Sequence, residues 1–121
     1  MAKYESKVIN GDFDTMLKML DDGILGGSIS AHLEDSSYYV NDDIRCAVKV
    51  YERYSAIGGN RISMSITLIG CLQELFVSVI TSGGSQAVFF KINTLGEESF
   101  LKHAIGIVEH YKNWLQQANS H

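Results

Sequence analysis

The chain has 121 residues, 45% of them hydrophobic and 20% charged, with no proline and a formal net charge of −4. That length suits one domain with one core that needs neither metal nor disulfide to hold it, so a single α+β domain over 1–121 is expected. The acidic balance argues against nucleic acid as a partner, because phosphate contacts need clustered Lys and Arg.

From Lys3 to Ile9 the residues alternate. Tyr4, Ser6 and Val8 fall on one side and Lys3, Glu5 and Lys7 on the other, the period of a half-buried strand. Asn10-Gly11 breaks it. Asp12 then caps a short helix, whose stripe is Phe13, Met16, Leu17 and Leu20, and Gly23 is expected to stop it.

Ser28 to Leu33 alternates again, with Ile29, Ala31 and Leu33 inward. Asp35-Ser36-Ser37 and Asn41-Asp42-Asp43 are turn-rich, and Tyr38-Tyr39-Val40 between them prolongs the strand. Ile44 to Ser55 is a long strand. Its apolar Cys46, Val48 and Val50 are expected to face the core, leaving Lys49, Tyr51 and Arg53 outward. Gly58-Gly59-Asn60 turns the chain.

Arg61 to Gly70 has the cleanest period, with Ile62, Met64, Ile66 and Leu68 set against Ser63, Ser65 and Thr67. Glu74 to Thr81 and Gln86 to Lys91 flank Ser82-Gly83-Gly84-Ser85, which reads as a hairpin turn rather than an anion cradle. Thr94-Leu95-Gly96-Glu97 reads as a capping box opening a helix that runs to about Gln117. Its stripe is Leu101, Ala104, Val108, Tyr111 and Leu115, and residues 118–121 form a loose tail.

The expected order is β-α-β-β-β-β-β-α, a single antiparallel meander sheet packed by a short N-terminal and a long C-terminal helix. In element order it is similar to helix-grip and TBP-like domains, in which a curved sheet wraps a long C-terminal helix.

Cys46 and Cys71 are too few for a disulfide framework, and neither sits in a C-x-x-C. The N-terminal residues lack the apolar core of a signal peptide, and no apolar run approaches the ~20 residues a membrane span needs. A cytoplasmic protein, without a membrane as partner, is expected.

Two strings, Arg45-Cys46-Ala47-Val48-Lys49-Val50-Tyr51-Glu52-Arg53-Tyr54-Ser55 and Thr81-Ser82-Gly83-Gly84-Ser85-Gln86-Ala87-Val88-Phe89-Phe90-Lys91-Ile92-Asn93, resemble a family of small bacterial proteins of unknown function. Asn10-Gly11-Asp12-Phe13 and Leu33-Glu34-Asp35-Ser36-Ser37 fit the same resemblance, which covers nearly the whole chain. It implies a bacterial, cytoplasmic single domain and brings no catalytic residue with it.

Two sets of residues are candidates for function. Phe89, Phe90, Phe100, Tyr111 and Trp114 gather where the last strand meets the last helix, and an apolar gap there could hold a small molecule. Lys49, Tyr51, Arg53, Arg61, Ser63 and Ser65, with Thr67, form a basic, hydroxyl-rich sheet face suited to an anionic ligand or to self-association. Glu34, Asp35, Asp42 and Asp43 could neutralise it, within the chain or across a homodimer.

His103 and His110 lie seven residues apart on the last helix, too far to share a metal, so no metal or cofactor is expected. No Ser-His-Asp or Cys-His signature marks a catalytic site. The reading is a non-enzymatic small-ligand module using the apolar gap. The alternative is a self-associating protein using the sheet face.

Overall fold

A computed structural model describes residues 1–54, 60–83 and 90–119, and the side chains of all of these except 90–95. The elements are β1 (Ala2–Ile9), α1 (Phe13–Gly26), β2 (His32–Asn41), β3 (Ile44–Tyr54), β4 (Arg61–Cys71), β5 (Glu74–Gly83) and α2 (Phe90–Asn119). The fold class is α+β. One antiparallel sheet has the order β1-β5-β4-β3-β2, so the first strand lies beside the last.

Both helices lie on one face of the sheet. Helix α2 crosses β5 with its flanks on β1 and β4, and α1 packs beside α2. The alternation read in β4 places Ile62, Met64, Ile66 and Leu68 under the helices, all fully buried. Val77 and Val79 join them from β5, and Phe100, Ala104, Val108 and Tyr111 press down from α2. Burying such side chains stabilises by about 1.5–3 kcal/mol each, before the entropy of ordering them.

Asp12 caps α1 as its sequence indicates. Its carboxylate accepts from the Thr15 amide at 2.9 Å and from the Thr15 hydroxyl at 2.7 Å. Gly23 does not end the helix, which runs one turn further to Gly26. The reason is packing. A Cβ at Gly23 would lie 2.5 Å from Ile107 Cδ1, so glycine there lets α1 and α2 approach.

Strand β2 begins at His32 rather than Ser28 and passes straight through Asp35-Ser36-Ser37. Pairing with β3 overrides the turn propensity of those residues, and a register shift between Leu33 and Asp35 absorbs the irregularity. Ile29, expected inward, is fully exposed. Of the expected strand Gln86–Lys91, residues 86–89 lie outside the described residues, while Phe90 and Lys91 belong to α2. Gly58, Gly59 and the Gly84-Ser85 part of the hairpin turn also lie outside them. The Thr94–Glu97 segment falls inside α2 rather than at its start. Glu97 is buried and accepts the Gly83 amide at 2.7 Å, tying the helix to the end of β5.

The side assignment of β3 is reversed. Tyr51 pairs with Met64, Lys49 with Ile66 and Arg53 with Ile62, so all three point toward the helices. Lys49 and Tyr51 are buried and Arg53 is partly buried. They are therefore not an exposed face. Both sides of β3 carry apolar atoms, and α1 and α2 supply polar partners for the cationic side. Asp14 holds Arg45 through two bonds of 2.8 and 2.9 Å, and the Arg45 guanidinium lies over the Phe13 ring. Asp21 binds Lys49 at 2.9 Å and the Tyr51 hydroxyl at 2.6 Å. Arg53 lies over the Phe100 ring and donates to Ser99 at 3.1 Å. Cys46, Val48 and Val50 consequently face away from the helices.

Candidate helix-pair groove

A recess lies on the outer surface, between α1 and α2. Thr15, Met19 and Asp22 recur at four and three along α1, so they form one edge. Lys102, His103, Gly106, Ile107 and His110 follow helical spacing along α2 and form the floor and the other edge. The main recess is an open depression of about 510 Å³, and a second of about 260 Å³ adjoins it at Met19 and His110 and ends on Tyr111 and Trp114.

Each end of the groove has a structural cause. At one end His103 Nε2 donates to the Gly23 carbonyl at 2.7 Å, satisfying one of the free carbonyls in the last turn of α1. Gly27 permits this contact, since a Cβ there would lie 2.0 Å from that nitrogen. At the other end Tyr111 and Trp114 stack with centroids 6.1 Å apart. The Tyr111 hydroxyl accepts the Asp12 amide at 2.9 Å, fixing the start of α1 to α2.

Gly106 lies between these ends. A Cβ added there would meet nothing within 4 Å. Glycine in a helix interior costs roughly 1 kcal/mol relative to alanine. No close approach requires it at this position, and its effect is to keep the floor of the groove flat and open.

The groove's charges are unevenly committed. Asp22 pairs with Lys18 at 2.8 Å, one turn back on α1. Lys102 and His110 are exposed and make no hydrogen bond or ion pair among the described residues. The net character is an apolar floor of Met19, Gly106 and Ile107 with uncommitted donors beside it.

The two residue sets picked out in the sequence fare differently. Phe89 lies outside the described residues, and nothing is described of the Phe90 side chain. Phe100 and Tyr111 are buried, and Tyr111 also lines the second recess. Trp114 is 57% exposed and faces the groove. Ser63, Ser65 and Arg61 do lie on the helix-free face. Arg61 ion-pairs with Glu52 and with Glu34 at 3.4 Å, as the acids of that region suggest, and Ser63 donates to Glu52 at 3.1 Å.

His32, Glu34 and Glu52 converge within 4.8 Å. The Arg61 guanidinium binds both carboxylates, occupying the place a cation would take. His32 has its Nδ1 3.1 Å from the Ser30 carbonyl and its Nε2 2.6 Å from Glu34. Both neighbours are acceptors, so this geometry needs both ring nitrogens protonated. The Ser30 and Glu34 bonds accordingly raise the His32 pKa.

The sequence profile of a family of unknown function, DUF6054, matches residues 1–112. The chain belongs to that family. A search of curated proteins returns no match. The match spans both helices of the DUF6054 chain up to Lys112, so it includes the groove as far as Tyr111 but stops short of Trp114. Among the described residues no helix is long and apolar enough to cross a membrane.

The groove was missed in the sequence because its edges are some 80 positions apart. One signal was present: Gly106 is a glycine inside the long C-terminal helix, on the side away from its apolar stripe.

Proposed function

We propose that this DUF6054 protein is a non-enzymatic module that binds a small apolar molecule carrying an anionic group, held in the groove between α1 and α2. The observation carrying this reading is Gly106, a helix-interior glycine whose missing Cβ faces open space at the floor of the groove. The apolar body would lie on Met19, Gly106 and Ile107, with Trp114 at the far end. The anionic group would take the uncommitted Lys102 or His110, where charge-assisted bonds outweigh neutral ones.

This site lies between the two helices on the outer surface, and the buried Tyr111 reaches its far end. A helix-grip-like build is supported by the long α2 crossing a sheet in which β1 and β5 are neighbours. A bacterial, cytoplasmic setting is part of the proposal. Free thiols at Cys46 and Cys71, the latter exposed, suit a reducing compartment.

The test is an amide-resolved NMR titration with fatty acids, aromatic carboxylates and phosphate monoesters. Shifts should gather at Met19, Gly106, Ile107 and His110 and be absent in Gly106→Leu, which fills the groove. Shifts confined to another surface, or none from any of the three classes, would overturn the reading.

A further inference from the structure

The sheet face that carries no helix has an unusual distribution of residues. The strand register defines rows across it. Lys3 stands in line with Ile80, Ser65, Val50 and Asp35; Glu5 with Ser78, Thr67, Val48 and Ser37; Lys7 with Phe76, Ile69, Cys46 and Tyr39. Across these three rows the central strands β5, β4 and β3 present no charged residue. They present Phe76, Ile80, Ile69, Val48 and Val50, set among small hydroxyl side chains. Within these rows charges appear only on the outer strands; beyond them the central strands carry Glu52 and Arg61 at one end and Glu74 at the other. An antiparallel sheet facing water normally turns polar residues outward. A charge-free apolar centre within a charged rim is the layout of a protein–protein interface.

We propose that this face is a homodimer interface, on which a second copy of the chain packs sheet on sheet with a two-fold axis running along β4. The charges select both occupant and orientation. That axis lays β1 of one copy over β2 of the other and keeps each row on itself. Lys3 then meets Asp35 of the second copy, and by symmetry the contact occurs twice. Lys7 meets Tyr39 and Glu5 meets Ser37, so no like charges oppose within these rows; Arg61, beyond them on β4, nears its own copy but is already ion-paired with Glu52 and Glu34. An axis across the strands through the middle row would instead bring Glu5 onto Glu5 and Lys3 onto Lys7, which like-charge repulsion disfavours. Of these two orientations, only the first is self-complementary across the three rows.

The area is sufficient. Five strands spaced about 4.8 Å apart, covered over the length of these rows and their ends, give roughly 600 Å² per copy. The total of about 1,200 Å² reaches the lower end of specific interfaces. Lys3 loses little in exchange, since its 3.0 Å contact with Glu5 is an exposed pair. The proposal is independent of the groove, which lies on the opposite side of the sheet.

Sedimentation equilibrium over a range of concentrations reads the result. The wild-type chain should pass from one to two copies as concentration rises. Ser65→Arg, which buries a charge near the axis, should weaken the dimer by more than about a hundredfold. Ile80→Lys, at a position already exposed in the single copy, is the second such variant, with circular dichroism and melting verifying that each remains folded. Lys3→Asp should weaken association roughly tenfold, and Lys3→Asp with Asp35→Lys should restore it. A wild-type chain that stays monomeric at high concentration overturns the proposal. So does a dimer insensitive to both central charges, which would use another surface. A dimer broken by those charges but not rescued by the swap overturns the orientation.

Discussion

Lys49 on β3 and Asp21 on α1 meet at 2.9 Å beneath the helix, on the carboxylate oxygen that also accepts the Tyr51 hydroxyl. Two adjacent acids at the C-terminal end of a helix oppose its dipole. The structure shows what offsets this, with Asp22 taken by Lys18 and Asp21 by the buried cation. Asp21→Ala strands Lys49 without its partner and should cost about 2 kcal/mol, less than a fully buried pair because Asp21 is partly exposed. Urea denaturation of Asp21→Ala, Lys49→Met and the double variant checks this, and the double variant should be more stable than Asp21→Ala alone.

The same pair sets an acid limb. Partial burial pushes the Asp21 pKa up, but the bonds from Tyr51 and Lys49 outweigh it and hold the carboxyl below its ordinary value. The lowered folded pKa gives stability that is fully present above the unfolded value of about 3.9 and is lost as pH falls through the folded pKa. Asp21→Asn should lose that part of the acid dependence. Melting temperatures measured from neutral to strongly acidic buffer test it.

His32 works with the opposite sign. Its raised pKa contributes stability that is fully present below the unfolded value of about 6.5 and is lost as pH rises through the folded pKa. An NMR titration should place the His32 midpoint above the ordinary histidine value, and Glu34→Gln should bring it down. A His32 midpoint at or below that value would contradict the doubly protonated geometry.

Two glycines of the helix pair should respond in opposite directions. Gly106→Ala places a methyl in open space and should stabilise by about 1 kcal/mol. Gly27→Ala drives a methyl into His103 and displaces its bond to the Gly23 carbonyl, which should destabilise by about 1 kcal/mol or more. Chemical denaturation of both variants is the measurement. Under the proposed function, the stabilised Gly106→Ala should also bind its ligand more weakly.

Leu72, in the two-residue turn between β4 and β5, has φ of 57° and is 80% exposed. A branched side chain in the left-handed region carries roughly 1–2 kcal/mol of strain. Leu72→Gly should therefore raise the urea midpoint, with a gain of about 0.5–1 kcal/mol after the added freedom of the unfolded chain.

Local pattern carried the fold class. Ile62, Met64, Ile66 and Leu68 alternate with hydroxyl residues, leaving one choice of buried face, and Asp12 announces its helix by its position before an apolar stripe. Strand β3 was misread because its more apolar side, Cys46, Val48 and Val50, faces away from the helices, while the side bearing Lys49, Tyr51 and Arg53 faces them. What decides between them is Asp14 and Asp21 on α1, more than 25 positions away, which give Arg45 and Lys49 their partners. Tyr111 and Trp114 were noticed as aromatics, but their place at the end of a surface groove depends on how α1 lies against α2. Such facts are properties of packing and have no local signature.

The edge position of β1 bears on how the chain is made. Ala2 pairs with Thr81, and Tyr4 bonds Glu109 on α2 at 2.6 Å, so both partners of the first strand are synthesised long after it. The β2-to-β5 meander can zip hairpin by hairpin as it leaves the ribosome. Strand β1 has to wait, unpaired, until β5 has emerged. Closing that long loop is an entropic cost met late, and it makes docking of the N-terminal strand the expected final event of folding.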